Sequence, residues 1–525
     1  MRRAKRNRPH HTRHKLSPDS AKSGSKGEAS DRPLEPSLDE KVALIREALG
    51  NSPDVVVRKL VGRESGRADL LVCYIDGLVD QKLLSELIGD IEGGIPEECT
   101  EHPAGELANS ITTGNVQQAS SQGEMIAGIL AGAAAVLIDG VQGALIASIP
   151  GGSRRSVEEP SSQTVIRGPK EGFTEELSTN MALLRRKLRT PDLRFENRII
   201  GSYTQTRVVV AYIQGIVHPP VLEEVLKRLD AIDTDSILES GYIEEFIQDR
   251  SFTPFPTILN TERPDAAAGS LLEGQVTILV DGSPFVLICP VTFFKFFLSS
   301  EDYYQRYDIS SFLRNIRLFA FLVAMLLPSF YIAVTTFHPE MLPTTMLISL
   351  AAQREGTPLP ALLEAMLMEI TFEVIREAGV RMPRVVGPAI SIVGALVLGQ
   401  AAVQAGLVSA AMVIIVSFTA IANFVIPTFG MSAAVRLIRF GLMLLAGSFG
   451  LYGILAGVIP LMVHLVSLNS FGVPYFLPIA PLSLSNMKDV FIRVPWPKMN
   501  KRPSYINLEN KVRQGPGPDE GKIEP

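Results

Sequence analysis

Two carboxylates stand four residues apart in the segment L-P-A-L-L-E-A-M-L-M-E-I-T-F-E-V-I-R-E-A-G-V-R, residues 359–381. On a helix, Glu369, Glu373, Arg376 and Glu377 fall on one face, and Leu363, Leu367, Ile370 and Val374 on another. The chemistry open to the first face is electrostatic, because rings of carboxylates at a membrane select cations. The plainer role for the segment is an amphipathic helix lying at a membrane interface. Further on, Gln400 and Gln404 are again four apart, inside the uncharged run 385–409. Asn423 follows Thr419 at the same spacing. Amides within apolar spans hydrogen-bond between helices or face a water-filled path. Glu369, Glu373, Gln400, Gln404 and Asn423 are therefore the candidate pore-lining residues.

Other reactive types give little. There is no G-x-G-x-x-G after a strand, no P-loop, no G-x-S-x-G and no H-E-x-x-H. Neither catalytic, cofactor nor metal residues are expected. Asp76, Asp139 and Asp281 each precede a glycine, and turn chemistry accounts for all three. Cys73, Cys99 and Cys289 are scattered, without metal spacing, and Cys73 and Cys289 lie in strand-like apolar runs. They read as buried reduced thiols.

The elements that must position these residues divide the chain. Its 525 residues are 46% hydrophobic with a net charge of −5, but residues 1 to about 315 read as soluble protein and 318–470 are nearly all apolar. Residues 1–37 carry ten Lys/Arg, four Asp/Glu and three His. That arm reads as disordered and solvated, with contact to anionic headgroups as the alternative. No apolar h-region follows its basic start, so no secretory signal is expected.

The soluble part contains a repeat. L-V-C-Y-I-D-G-L-V-D-Q-K-L-L-S-E-L (71–87) matches V-V-A-Y-I-Q-G-I-V-H-P-P-V-L-E-E-V (209–225). G-A-A-A-V-L-I-D-G (132–140) matches G-Q-V-T-I-L-V-D-G (274–282). Each copy predicts a strand, an amphipathic helix and a hairpin turning at Asp-Gly. The fold class is a duplicated α/β soluble region followed by an α-helical multi-span membrane domain. The subdomains span 40–155 and 195–305, joined by a linker and helix (156–194). In that helix, 173–192, Thr174 is the expected N-cap and Pro191 the stop.

The membrane domain, 306–470, reads as four spans: 318–337, 385–408, 410–429 and 436–465, with five as the alternative. Small residues (Gly387, Ser391 and Gly394, then Gly399, Ala402 and Gly406) would let those helices approach closely. Arg306, Arg314 and Arg317 before the first span put the soluble region on the cytoplasmic side. Four spans return the tail, 471–525, with Lys488, Arg493 and Lys498, to that side. Arg381, Arg384, Arg436 and Arg439 would then flank the outer side, against the positive-inside tendency. His464 reads as interfacial.

Four long, co-linear stretches resemble the A-subunit family of bacterial spore germinant receptors, the GerA family. They are E-G-F-T-E-E-L-S-T-N-M-A-L-L-R-R-K-L-R-T-P-D-L (171–193), P-F-P-T-I-L-N-T-E-R-P-D (254–265), G-Q-V-T-I-L-V-D-G-S-P-F-V-L-I-C-P-V-T-F-F-K-F-F-L-S-S-E-D-Y-Y (274–304) and G-P-A-I-S-I-V-G-A-L-V-L-G-Q-A-A-V-Q-A-G-L-V-S (387–409). The similarity covers roughly 40–490. It implies a non-enzymatic subunit of the inner spore membrane. It also implies a transporter-like B subunit that binds nutrient, a lipoprotein C subunit, and assembly into an oligomeric ion channel that triggers germination. Two readings outside that expectation remain: a membrane-anchored scaffold that clusters receptors without conducting, and a secondary transporter. The latter is disfavoured because the visible repeat lies in the soluble half.

Overall fold

The computed structural model describes residues 32–60, 69–94, 103–151, 160, 163–382, 397–483, 486–503 and 510–513. Most of the basic arm, Cys99, Arg384, Gly387, Ser391, Gly394 and the first half of the expected span 385–408 lie outside them. The chain divides into two compact units, one of residues 1–50 and 55–151, the other of 51–54 and 152–525.

The first unit holds α1 (Leu38–Leu49), β1 (Val55–Leu60), β2 (Leu70–Ile75), α2 (Gln81–Gly93), α3 (Pro103–Ser110), β3 (Asn115–Ala119), α4 (Gln122–Leu130), β4 (Ala133–Ile138) and β5 (Ala144–Ser148). Its sheet is antiparallel, in the order β1-β2-β4-β5-β3. The soluble part of the second unit repeats the plan with α5 (Leu177–Lys187), β6 (Leu193–Ile200), β7 (Thr206–Ile213), α6 (Pro219–Asp230), α7 (Ser240–Ile247), β8 (Leu259–Thr261), α8 (Pro264–Glu273), β9 (Val276–Val280) and β10 (Val286–Cys289). The order β6-β7-β9-β10-β8 is the same. The sequence repeat thus corresponds to a common topology, with 71–87 and 209–225 giving the second strand and following helix of each sheet.

The paired Asp-Gly turns close the β4–β5 and β9–β10 hairpins, with Gly140 at φ 72° and Gly282 at φ 83°, a region where a glycine carries no steric penalty. Their aspartates do a second job. Asp139 accepts from the Leu38 amide at 3.2 Å, and Asp281 from the Leu177 amide at 3.4 Å. In each unit the turn carboxylate therefore meets the orphan amides and positive end of the helix that opens the copy. This explains why α5 begins at Leu177 instead of beside Thr174. Thr174 accepts from the Glu176 amide ahead of the helix, and the helix ends at Lys187, before Pro191.

In the second unit the sheet is covered on both faces. Val209 and Ala211 of β7 pack with Leu184 of α5 and Leu271 of α8, whereas Val208 and Val210 pack with Val225 of α6 and Ile243 of α7. Arg185 is fully buried. It donates to Asp54 at 2.8 and 3.2 Å and to the Leu193 carbonyl at 2.9 Å. Cys73 and Cys289 are buried free thiols, and burial pushes the Cys73 thiol up to about 12.

The helical part comprises α9 (Tyr307–Phe337), α10 (Thr344–Glu355), α11 (Ala361–Arg381), a helical segment at 397–404, α12 (Ala410–Phe424) and α13 (Phe429–Ser467). Two of these, α9 and α13, are long and apolar enough to cross a membrane. Helix α13 is not straight. Gly450 leaves helical geometry at φ 61°, ψ −141°. Beyond it Gly457 lies against Leu442 and Leu445, where an added Cβ would come within 2.6 and 2.9 Å of their methyls, and Gly453 packs on the Leu445 carbonyl. Residues 429–449 and 451–467 are therefore two antiparallel legs, about 31 and 25 Å long at the helical rise. The sequence reading of 436–465 as one span missed this reversal. Arg436 and Arg439 consequently lie toward the soluble side, since both ends of the hairpin reach the same loop: Gly430 faces Pro256, and His464 Nε2 bonds Thr253 Oγ1 at 2.9 Å.

An aromatic cluster joins this bundle to the soluble part of its unit. Phe293 lies within 5.1–6.3 Å, between ring centroids, of Phe255, Phe294, Phe297, Phe321, Tyr475 and Phe476. Beside it Arg314 and Arg317 on α9 meet Asp302 at 3.2 and 2.7 Å, and Arg314 meets Asp489 of the tail at 2.8 Å. The tail thus folds back onto the base of α9.

Candidate functional site: a charged layer between helices

Helices α11 and α13 face each other through charge. Their contacts run in opposite order along the chain, Glu369 with Arg439 and Glu373 with Arg436, so the first leg of α13 is antiparallel to α11. Glu373 accepts from Arg376 at 2.7 and 3.0 Å and from Arg436 at 2.9 Å, and Arg439 lies 3.7 Å from its other oxygen. Glu369 is fully buried, 3.3 Å from the equally buried Arg439. That approach lacks hydrogen-bond geometry, and neither oxygen of Glu369 has a donor among the described residues.

The helical spacing explains the layer. Glu369 and Glu373 occupy one stripe of α11, and Arg436 and Arg439, three apart, occupy one stripe of α13. Two carboxylates therefore face three guanidiniums, so the acidic face evident in the sequence is charge-compensated within the chain. Glu377 instead pairs with Arg381 on the surface at 2.7 Å. The opposite stripe, Leu363, Leu367, Ile370 and Val374, is exposed. In the first turn of α11, Glu364 is buried and accepts from the Ser409 hydroxyl at 2.6 Å and from the Ser409 amide. A carboxylate at the N-terminus of α12 is favoured by the helix dipole.

The five expected site residues are thus separated. Glu369 and Glu373 share the charged layer. Asn423 is buried and donates to Ser432 at 2.8 Å, tying α12 to α13. Gln400 and Gln404 are exposed on the segment 397–404. Sequence reasoning missed Arg436 and Arg439 as members of the site. The available signal was a pair of arginines at helical spacing inside an apolar run, which requires a carboxylate partner. His464, read as interfacial, bonds a soluble-side loop. Among the described residues no group of His, Cys, Asp or Glu side chains converges as a metal site.

Comparison with known proteins gives the wider context. The family described as Bacillus/Clostridium GerA spore germination protein matches residues 43–505. Spore germination protein KA of Bacillus subtilis (strain 168) is 48% identical over 92% of this chain and 89% of its own length. The uncharacterized membrane protein YfkQ of the same organism is 42% identical over 94% of this chain and 96% of its own. A solved structure, the N-terminal domain of the A subunit of the Bacillus megaterium spore germinant receptor GerK3, is 38% identical and covers 50% of this chain and 98% of that domain, with a TM-score of 0.40. With a match across most of its length and relatives this close, the chain belongs to the GerA family of spore germination proteins.

Proposed function

We propose that the chain is the non-enzymatic A subunit of a nutrient germinant receptor in the inner spore membrane, and that copies of it assemble into an ion channel. A transporter-like B subunit would bind the nutrient, and a lipoprotein C subunit would complete the receptor. The observation that carries this reading is the charged layer in the helix bundle, with Glu369 and Arg439 buried and Glu373, Arg376 and Arg436 half-buried beside them. Ionised side chains are costly there and mark ion pathways or moving parts. In this reading Gln400 and Gln404 face water, and Asn423 holds α12 against α13. Glu369 and Glu373 meet the path when α11 parts from α13. Nutrient binding opens the channel only through a difference in affinity between the closed and open arrangements.

The N-terminal region would face the cytoplasm. Arg306, Arg314 and Arg317 at the base of α9, and Lys488 and Arg493 in a tail bonded to that base, support this by the positive-inside tendency. The pairing of one Glu373 oxygen with both Arg376 and Arg436 favours a second reading, a receptor-clustering scaffold in which the charges serve packing alone. The test is potassium efflux from liposomes holding the chain with its B and C partners. Nutrient-dependent efflux altered by Glu369→Gln or Gln400→Leu, with assembly intact, supports the channel. No efflux from a verified complex supports the scaffold.

A further inference from the structure

Where the tail folds back on the soluble part of its unit it forms a half-open pocket of about 430 Å³, within the size range of small-molecule sites. One wall is apolar and aromatic, with Leu259, Leu272, Leu298, Tyr303 and Trp496. The other is basic, with Lys295, Arg502 and Arg513. A neighbouring cavity of about 490 Å³ shares Lys295, Tyr303, Arg502 and Arg513 and adds the exposed Lys488, Lys501 and Lys511.

The charges do not cancel. Asp265 is held by Arg263 at 2.7 and 3.0 Å and by the Tyr304 hydroxyl at 2.6 Å. Glu273 is shared between Lys295 at 2.7 Å and Arg513 at 3.4 Å. Among the described residues Arg502, half-buried, donates to neutral oxygens only: the carbonyls of Leu272, Asn510 and Val512 and the Asn510 amide. A guanidinium lining a half-open pocket, with no carboxylate partner among the described residues, attracts an anion.

We propose that this cavity binds a small amphipathic anion, a carboxylate or phosphate ester whose charge meets Arg502 and Arg513 and whose apolar body lies against Leu272, Leu298 and Trp496. The site is coupled to the first membrane helix. Tyr303 in its wall donates to Asp489 at 2.7 Å, and Asp489 also accepts from Arg314 of α9 at 2.8 Å. Binding itself is independent of whether the bundle conducts ions.

Trp496 is the chain's single tryptophan, so its fluorescence reports on this cavity alone. The experiment titrates the full chain in detergent with butyl phosphate, hexanoate, inorganic phosphate and butanol. Butyl phosphate and hexanoate are expected to give a saturable change. Inorganic phosphate should bind about tenfold more weakly than butyl phosphate, the equivalent of roughly two buried methylenes, and butanol should not register. Arg513→Gln should weaken butyl phosphate binding about tenfold. The second variant is Gly269→Phe. Gly269 lines the cavity and has open space beside it, so a phenyl ring there fills the site without touching the charges and should abolish binding with the melting temperature unchanged. No saturable change with either anion, equal affinity for inorganic and butyl phosphate, or undiminished binding in Gly269→Phe overturns the proposal.

Discussion

Replacing Arg439 by Met tests whether the charged layer is held together or merely tolerated. In the wild type Glu369 and Arg439 are both buried at 3.3 Å without a hydrogen bond that satisfies the carboxylate. At an effective dielectric near 20 that separation gives roughly 5 kcal/mol of attraction. Desolvation of the two ions opposes it by several kcal/mol each, so the pair contributes little net stability. Its removal by halves is another matter. Arg439→Met leaves Glu369 buried with no cation in reach except those already shared by Glu373, and should lower the unfolding free energy by about 3–5 kcal/mol. Glu369→Leu together with Arg439→Met should restore wild-type stability or exceed it by about 1–4 kcal/mol. The assay is equilibrium unfolding of the full chain in mixed micelles, run as a double-mutant cycle. A loss below about 1 kcal/mol for Arg439→Met, or a double variant no more stable than the single one, would refute the argument.

Further predictions follow from other parts of the fold. Gly453→Val places a side chain on the Leu445 carbonyl, so the hairpin must open, and protein level and thermal stability should both fall sharply. Gly450→Ala, at a backbone geometry reserved for glycine, should cost about 1–3 kcal/mol, read as a lowered melting temperature. Asp139→Ala and Asp281→Ala should each lose about 1 kcal/mol in denaturant unfolding, with an unchanged fold by circular dichroism. Burial, with the Glu239 charge adding to it, raises Glu244 to about 7. The folded chain therefore holds a proton there that the unfolded chain releases near 4.5. Stability should fall as pH rises from about 4.5 to 7, and Glu244→Gln should flatten that slope in thermal melts taken across the range.

Much of the soluble architecture was legible because its signals are local. Asp-Gly between two apolar runs specifies a hairpin, and the same pair 142 residues later specifies a second. What the sequence could not display was the second role of Asp139 and Asp281, since the amides they cap lie about a hundred residues earlier in the chain. The helical part was legible as apolar and amphipathic, and the outward stripe of α11 was visible in its spacing. The reversal at Gly450 was not, because one glycine in a glycine-rich apolar run carries no distinguishing mark. That omission displaced Arg436 and Arg439 to the wrong end of the bundle. With the reversal in place they sit opposite Glu373 and Glu369.

The hairpin also bears on biogenesis. A connection made by one glycine, with Leu451 following directly in the second leg, has no hydrophilic loop. In a bilayer no polar segment at that point would have to be carried across, so the two legs can enter together as a preformed pair. Leu442, Leu445 and Gly457 would already be in contact before the rest of the bundle assembles around them. The loop at 253–256, made far earlier in synthesis, would be waiting for both ends when they emerge. Late-made helices would then be docked by an early-folded soluble platform, and a defect in that platform would surface as misplacement of the last two legs.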